Sequence, residues 1–96
     1  LHACFVRSPH PHAKVLSIDT GPAKNAPGVA AVLTAADINP RCEPFVGVAL
    51  HRPGHRAAPQ SLFAAERAVW QGQPAALVVA ETRAQAEDAA ELLGIE

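Results

Sequence analysis

The chain has 96 residues, 49% of them hydrophobic, and its eight basic and nine acidic side chains give a net charge of −1. A chain of this length can bury one modest core and leaves no room for two domains. The near-zero charge argues against nucleic acid and anionic membrane as partners, because both are bound through an excess of Lys and Arg. We therefore expect residues 1–96 to form a single domain that binds neither.

Short strands separated by turns are predicted for the first part of the chain. From Ala3 to Ser8, successive side chains are expected to point to opposite faces, as in a strand. Pro9 and Pro11 cannot continue its hydrogen-bond ladder. Pro27 stops a short helical segment before it, because the residue preceding proline disfavours the helical region. The predicted elements are strands at 3–8, 14–19 and 29–33 and single helical turns at 20–24 and 34–37, capped by Thr20 and Thr34.

The middle of the chain, from Asn39 to Ala68, has no regular hydrophobic period. Four prolines and two glycines fall in this stretch, and they predict a long irregular connection around a short apolar island at Phe45 to Leu50. A loop of this length in a small domain usually serves an interface or lies disordered. The sequence leaves both alternatives open.

A long buried strand is predicted next. Pro74 lacks an N–H and so suits the first position of a strand, and the apolar run at 75–80 has the length and β-branched content of a buried one. We expect it to form a hairpin with a preceding strand at 68–70, through a turn at 71–73. Within it, Leu77 and Val79 are predicted to be buried.

The last segment predicts a capped helix. Thr82 and Gln85 have the three-residue spacing of a capping box, and Gly94 is expected to end the helix in the left-handed conformation. The face expected to lie on a sheet consists of Ala86, Ala89, Ala90 and Leu93, with Leu93 buried. Together the elements favour an α+β fold with a mixed, mostly antiparallel sheet, one long C-terminal helix and short helical turns.

Three segments together resemble a known family. They are residues 5–15 (FVRSPHPHAKV), 27–37 (PGVAAVLTAAD) and 73–93 (QPAALVVAETRAQAEDAAELL). In this order, and covering nearly the whole chain, they resemble the α/β hammerhead domain of the xanthine dehydrogenase and aldehyde oxidase family, the molybdenum hydroxylases, which include aerobic carbon monoxide dehydrogenases. Residues 39–68 match that pattern only loosely, so the resemblance identifies neither a subfamily nor a substrate.

The resemblance implies a non-catalytic domain in the large, molybdenum-carrying subunit of an oxidoreductase. Members of the family oxidise aldehydes, purines, other N-heterocycles or carbon monoxide with a molybdopterin cofactor and oxygen from water. Their active-site motifs lie in later domains, so no catalytic, cofactor-binding or metal-binding residue is carried over to this chain. The implied partners are the molybdenum-binding domains of the same subunit and the domains or subunits that carry iron–sulfur clusters and often FAD.

The chain is expected to be a piece of a longer polypeptide. It contains no Met, and it opens on Leu1 inside a predicted strand. No stretch combines a basic start, an apolar core and a small-residue cleavage site, and no apolar run approaches the ~20 residues that a membrane span requires. A soluble, cytoplasmic location is the expectation.

Five histidines in so short a chain raise the hypothesis of a metal site. His10 and His12 alternate by two and project to one side of an extended backbone, but no further ligands accompany them, and a metal site needs three or four. His51 and His55 have the four-residue spacing of a helical pair, yet proline and glycine lie between them. We expect neither pair to bind a metal.

Other reactive side chains also lack a recognisable motif. Cys4 and Cys42 are expected to be free thiols, with a disulfide or a reactive thiol as alternatives. The acidic residues from Glu81 to Glu91 are expected to form a solvated helix face on which Arg83 and Glu87 have the spacing of an ion pair. Neither a nucleophile motif nor a phosphate-binding loop is present.

Two surface features remain as candidates. Arg52 and Arg56, with His51 and His55, form the one local excess of positive charge, which is either a solvated loop or a contact for an acidic partner or a phosphate. Trp70 is the only tryptophan. It is expected to anchor a core or an interface, with ligand stacking as the alternative.

Three functions follow as hypotheses. The first is a non-catalytic hammerhead domain of a molybdenum hydroxylase, packed against larger neighbours. The second is a self-contained protein-interaction module that uses the proline-rich loop and an exposed strand. The third is a small metal carrier built on the histidines. A well-behaved monomer or discrete dimer favours the module, whereas exposed apolar surface favours an orphaned piece.

Overall fold

The computed structural model describes residues 1–47 and 52–96. His51 and the end of the predicted apolar island, residues 48–50, lie outside this range. The elements are β1 (His2–Arg7), β2 (Ala13–Lys14), β3 (Ile18–Asp19), α1 (Gly21–Lys24), β4 (Val29–Thr34), α2 (Ala35–Ile38), a 3₁₀ turn (Asn39–Arg41), β5 (Arg67–Ala68), β6 (Pro74–Ala80), α3 (Arg83–Glu91) and β7 (Gly94–Ile95). The α+β class and the C-terminal helix are confirmed.

The main sheet has three antiparallel strands in the order β1–β6–β4. Pro74 begins the central strand, as predicted, and Val78 lies between Cys4 of β1 and Val32 of β4. The β1–β6 ladder shifts register between Val6 and Arg7. β6 has a neighbour on each side from Ala76 to Ala80, so this part of the strand lies inside the sheet, which suits its apolar sequence.

The helices α1 and α3 cover one face of this sheet. The centre of that layer is a cluster of Ala23, Val32, Val78 and Ala89, one residue from each of α1, β4, β6 and α3. Nine of the twelve buried hydrophobic residues in the described part of the chain are alanine. Small side chains allow the helices to approach the sheet closely, but they bury little apolar area.

The burial predictions for β6 and α3 were wrong in part. Leu77, Val79 and Leu93 are only half-buried, whereas Val78 is completely buried. Side chains alternate across a strand, and the helices cover the face that carries Val78. The predicted face of α3 is confirmed, with Ala86 and Ala89 buried and Leu93 packed against the cluster.

The predicted strand at 14–19 is two short strands with different partners. Ala13 in β2 pairs with Ala68 in β5, whereas Ile18 in β3 pairs with Ile95 in β7. The switch occurs in the segment between them, where the N–H of Val15 donates to Glu66 and the N–H of Leu16 donates to Glu96. The segment therefore contributes to two separate two-stranded sheets rather than to one continuous ladder.

The predicted hairpin between residues 68–70 and β6 is also wrong. β5 pairs with β2, and β6 pairs with β1 and β4. The turn itself is present, since the N–H of Gln73 donates to the carbonyl of Trp70 and Gly72 has φ +89°. However, the turn is held by the residue after β1, because the N–H of Gly72 donates to the carbonyl of Ser8 at 2.8 Å and the N–H of Ser8 donates to the carbonyl of Gln73 at 2.9 Å.

The three predicted caps have different outcomes. The capping box of Thr82 and Gln85 is confirmed, and Thr34 begins α2 with its N–H and hydroxyl both donating to Asp37. Thr20 makes no side-chain cap, and the carboxylate of Asp19 instead accepts from the N–H of Gly21. Helix α1 is therefore held at its start by the residue before the predicted cap.

Gly94 does not end α3 in the left-handed conformation. It has no positive φ and begins β7, paired with Asp19. The helix ends through 3₁₀-type bonds, in which the N–H groups of Leu92 and Leu93 donate to the carbonyls of Ala89 and Ala90. Directly after the last turn of α3, the chain becomes extended and pairs with β3 as strand β7.

Candidate interaction surface

The molecule is elongated and exposes more surface than its mass requires. Its dimensions are 53 × 26 × 20 Å and its radius of gyration is 15.3 Å, compared with about 12.5 Å for a compact domain of this length. Its accessible surface is 6565 Å², compared with about 5,200 Å² for a folded monomer of the same mass. The excess, about 1,300 Å², is larger than one side of a standard protein interface, about 800 Å².

A group of large apolar side chains is exposed around Trp70. We call Phe45, Leu62, Val69 and Trp70 the Trp70 surface; their exposed fractions are 65%, 46%, 50% and 36%. Trp70 lines two open grooves, of about 690 and 280 Å³, which also share Gln60 and Ser61. Phe45 and Leu62 line the smaller groove, and Val69 lines the larger one.

The segments that carry these side chains pair with each other. The backbone of Phe45 and that of Gln60 exchange two N–H to carbonyl bonds, both 2.8 Å long. This bridge lies within the stretch predicted to be an irregular connection, 39–68, whose described residues otherwise form only the 3₁₀ turn at Asn39–Arg41 and β5. It brings the apolar island at residue 45 to the segment that leads to Leu62.

The carboxamide of Asn39 fixes the same segment from the other side. Its Nδ2 donates to the carbonyl of Phe63, and its Oδ1 accepts from the N–H of Phe63, both at 3.0 Å. Phe63 is buried, and its ring lies 6.2 Å from that of Phe5 on β1. A side chain that satisfies both backbone groups of one residue replaces a missing ladder partner.

Gln73 is the buried polar residue of the described part of the chain, 2% exposed, and its N–H donates to the carbonyl of Trp70 at 3.3 Å. Its Oε1 accepts from the N–H of Val69 at 2.9 Å, and its Nε2 donates to the carbonyl of Ser61 at 3.3 Å. The backbone on both sides of the Trp70 surface is thus tied to one side chain. A surface held in this way loses little conformational entropy on binding.

Charged side chains lie at the edge of the Trp70 surface. Arg7 lines the smaller groove, but its guanidinium lies 5.0 Å above the ring of Phe5 and donates to the carbonyl of Gly72 at 3.0 Å. Glu66 and Arg67 line the larger groove. An apolar centre with a sparse, mixed-charge rim is the usual composition of a protein–protein contact.

Of the predicted histidine pairs, His10, His12 and His55 lie within the described residues. His10 and His12 are both exposed in the bends after β1, where His12 lies 3.4 Å from Arg67, and His55 lies 3.4 Å from the carbonyl of Gly47. Within residues 1–47 and 52–96, no three His, Cys, Asp or Glu side chains are close enough to hold a metal ion together. His51 lies outside the described residues.

The remaining candidates are dispersed. Cys4 is half-buried and Cys42 exposed, and both are free thiols. Arg52 and Arg56 are exposed on the loop. The predicted pair on α3 is present, with Arg83 Nε 2.8 Å from Glu87 Oε1, and this hydrogen bond raises the pKa of Arg83. The pair is solvent-exposed and adds little to stability.

Sequence reasoning found Trp70 but missed the residues that hold it in place. Asn39 was predicted only as the start of the irregular connection and Gln73 only as part of the turn at 71–73, and neither side chain was expected to bind the backbone of another segment. The alternative of Trp70 as a core residue was wrong, because the residue is partly exposed.

None of the described helices is long or apolar enough to span a bilayer.

Comparison with known proteins identifies the class. The whole chain, residues 1–96, matches the family described as "Aldehyde oxidase and xanthine dehydrogenase, a/b hammerhead domain". Three antiparallel strands, two accessory two-stranded sheets and a C-terminal helix are thus the architecture of a hammerhead domain. The chain belongs to this family, which includes the large subunits of molybdenum hydroxylases.

Particular relatives cover the entire chain. It is 46% identical over 96 residues to the nicotine 6-hydroxylase large subunit of Paenarthrobacter nicotinovorans, and 45% identical over 93 residues to the carbon monoxide dehydrogenase large chain of Afipia carboxidovorans. Among solved structures, quinoline 2-oxidoreductase from Pseudomonas putida 86 superposes with a TM-score of 0.91 at 37% identity, over 99% of this chain and 12% of that one. The Cu,Mo carbon monoxide dehydrogenase superposes with a TM-score of 0.80 at 42% identity, over 98% and 11%.

The coverage is strongly asymmetric. The alignments take in 100% and 96% of this chain but only 12% and 11% of the nicotine hydroxylase and carbon monoxide dehydrogenase subunits. The chain therefore spans about one eighth of the length of these relatives. The similarity concerns one domain of proteins that are much larger.

Proposed function

We propose that this chain is a non-catalytic structural domain of a molybdopterin-dependent oxidoreductase large subunit, in the cytoplasm, and that it packs against the molybdenum-binding domains of that subunit. Residues 1–96 act as one unit in this role. Domains or subunits that carry iron–sulfur clusters and FAD are its further neighbours. The names of the relatives, a large subunit and a large chain, support a multisubunit enzyme.

The observation that carries the proposal is the excess of exposed surface in a member of this family. A domain that functions alone covers its large apolar side chains, because exposed apolar patches promote association. Here three buried hydrophobic residues are larger than alanine, whereas ten large hydrophobic residues are exposed in the described part of the chain. Contact with a larger neighbour would cover these side chains and supply the stability that the alanine-rich core lacks.

The described residues beside Trp70 do not suit a molybdopterin site. The grooves beside Trp70 are lined mainly by apolar side chains, with no cluster of cations for a phosphate. The described acidic side chains on α3 are exposed to solvent and do not line the grooves beside Trp70. The proposal therefore assigns neither the cofactor nor the chemical step to residues 1–96.

The test uses the natural polypeptide that contains these residues. We expect it to continue into a molybdopterin-binding region and to copurify with molybdenum, as measured by elemental analysis. The 96-residue chain alone is expected to contain no molybdenum and to oxidise no aldehyde, purine or N-heterocycle. A natural polypeptide without a molybdopterin-binding region would contradict the proposal.

Deleting the domain tests whether the rest of the subunit needs it in order to fold. Removing residues 1–96 from the natural polypeptide is expected to reduce the yield of folded, molybdenum-containing subunit, because the neighbouring domains lose a packing surface. Size-exclusion chromatography of the isolated 96 residues provides the contrast with a self-contained interaction module. A stable, discrete monomer or dimer, together with a deletion that leaves the subunit intact, would favour the module.

A further inference from the structure

We infer that a cavity between the end of β1 and the β2–β5 pair binds a small apolar carboxylate, with the carboxylate group beside Lys14. Arg7 of β1, Lys14 of β2, Ala68 of β5, Ala75 of β6 and Ile95 of β7 are among the residues that line this space, which we call the Lys14 cavity. A small-molecule site lies beyond the proposed structural role, which assigns no ligand to the domain.

The size of the Lys14 cavity suits one small ring. Its volume is about 160 Å³, and an apolar cavity of about 150 Å³ is large enough to admit benzene. Three of its lining residues, Ala64, Ala68 and Ala75, are buried, with exposed fractions of 1%, 2% and 3%. Because their side chains are single methyl groups, the space between β5 and β6 stays unfilled. The apolar part of a ligand would contact these methyl groups.

Polar groups in the wall of the Lys14 cavity are already hydrogen-bonded within the chain. The N–H of Ala64 donates to the carbonyl of Pro74 at 2.8 Å. The hydroxyl of Ser8 donates to the carbonyl of His10 at 2.9 Å and accepts from the N–H of the same residue at 3.2 Å. These groups are not free to hold the polar atoms of a ligand, so that recognition falls to charged side chains.

Charged side chains lie at the open side of the Lys14 cavity. Arg7, His10, Lys14 and Glu96 all line it and are all exposed. The guanidinium of Arg7 already donates to the carbonyl of Gly72 at 3.0 Å. Within residues 1–47 and 52–96, by contrast, the ammonium of Lys14 takes part in no ion pair. Lys14 is therefore the cation that is placed to meet a ligand.

The β2–β5 ladder places a second cation directly opposite Lys14. Lys14 and Arg67 are register partners in this antiparallel pair, and like charges in such positions repel each other. Arg67 has its Nη1 3.4 Å from Nε2 of His12, and it forms no ion pair in the described part of the chain. An anion beside Lys14 would offset the repulsion, whereas a neutral or cationic ligand would not.

The combination of an apolar wall with one available ammonium group favours a carboxylate over a phosphate. Phosphate sites in proteins direct several N–H donors at the phosphate oxygens. Here the wall consists largely of alkyl groups, and Lys14 supplies a single point charge. A ring or short chain that carries one carboxylate matches both parts of the cavity.

Benzoate and benzyl alcohol are suitable probes, because they share a phenyl ring and differ in charge. Their binding to the natural full-length polypeptide is measured by ligand-observed NMR for the parent, Lys14→Gln and Lys24→Gln. Lys24 is the matched control, since it is an exposed lysine in α1 that does not line the cavity. Lys14→Gln is expected to weaken benzoate binding by about two- to fivefold and to leave benzyl alcohol binding unchanged. Lys24→Gln is expected to change neither.

Crystals of the same polypeptide soaked with 4-bromobenzoate locate the site. The anomalous signal of bromine is expected inside the Lys14 cavity, with the carboxylate towards Lys14. Ala75→Val narrows the cavity and is expected to weaken the binding of benzoate and of benzyl alcohol alike. Because Lys14 is exposed, Lys14→Gln tests the charge contact even if Ala75→Val disturbs folding.

Four outcomes would overturn the ligand site. They are no benzoate binding by the parent polypeptide, benzoate binding that Lys14→Gln leaves unchanged, equal weakening by Lys14→Gln and Lys24→Gln, and a cavity that another segment of the natural polypeptide fills. None of these outcomes affects the proposed function, which is tested by the molybdopterin-binding region and the molybdenum content of that polypeptide.

Discussion

The backbone of Gly28, just before β4, lies directly against the carboxamide of Gln85 at the start of α3. Gly28 has φ +75°, and its carbonyl accepts a 2.9 Å hydrogen bond from the N–H of Glu81. The carboxamide of Gln85 is in turn held by Thr82, whose N–H donates to it at 3.1 Å. The entry to the edge strand and the cap of the long helix are therefore one structural unit.

Gly28→Ala is expected to destabilise the chain more than Gly54→Ala. Both glycines have φ +75°, so both variants bear the left-handed penalty of ~1–2 kcal/mol. Only at Gly28 does an added Cβ meet Gln85; nothing lies within 4 Å at Gly54. Displacing Gln85 breaks the capping box and costs ~1 kcal/mol more. Urea unfolding of the two variants measures the difference, and equal losses would contradict the contact.

Asn39→Ala is expected to cost ~1–3 kcal/mol, because the N–H and carbonyl of buried Phe63 lose their partner. Asn25→Ala is the matched control: the Asn25 side chain makes one exposed bond, from Nδ2 to the carbonyl of Gly21. That variant is expected to lose less than ~1 kcal/mol. Thermal unfolding of both variants tests the clamp, which does not exist if Asn39→Ala is as stable as Asn25→Ala.

Thr82→Ala is expected to cost ~1 kcal/mol of unfolding free energy, since the hydroxyl accepts from the N–H of Gln85 at 3.2 Å. Thr20 occupies the equivalent position before α1 but makes no side-chain cap bond. Thr20→Ala is therefore expected to be nearly neutral. Chemical denaturation of the two variants measures the difference in unfolding free energy. A larger loss for Thr20→Ala than for Thr82→Ala would contradict the assignment of the side-chain cap to α3.

Asp37 is expected to make stability depend on acid pH. The N–H of Thr34, followed by its hydroxyl, donates to the carboxylate and holds the pKa of Asp37 below its usual 3.8. Because the folded pKa is the lower one, this stabilisation is present above the unfolded pKa and is lost as pH falls through the folded pKa. The Tm of the parent chain is therefore expected to decrease when the pH is lowered below about 4.

Replacing the carboxylate isolates this effect. Asp37→Asn is expected to lower the Tm at neutral pH and to flatten its dependence on pH in the acid range. Asp88→Asn removes the same charge from the exposed face of α3 and serves as the control. Thermal unfolding at a series of pH values measures both, and identical acid profiles for Asp37→Asn and the parent chain would refute the assignment.

Local pattern was sufficient for much of the secondary structure. Pro74 marks the first residue of β6, and the spacing of Thr82 and Gln85 marks the cap of α3. Both signals act between residues a few positions apart. The three quoted segments also identified the family, which the match over the whole chain confirms.

Local signals of this kind do not predict which distant segments of the chain pair with each other. β5 could join β6 in a hairpin or β2 across the chain, and the short apolar run at residue 68 is compatible with either. Gly94 carries the sequence signal of a helix end, yet its conformation depends on β3, some 75 residues earlier in the chain. These choices are made by partners that a local window does not contain.

By itself, the sequence determined the α+β class, the capped C-terminal helix, the small-residue core and the absence of an excess of positive charge. These properties follow from hydrophobic period, cap spacing and composition, which act locally or by simple count. Only the tertiary structure decided that Asn39 holds Phe63, that Gln73 links Val69 to Ser61, and that the side chains of residues 45, 62 and 70 line one groove. The reason is that burial and hydrogen bonding between remote segments depend on the path of the whole chain.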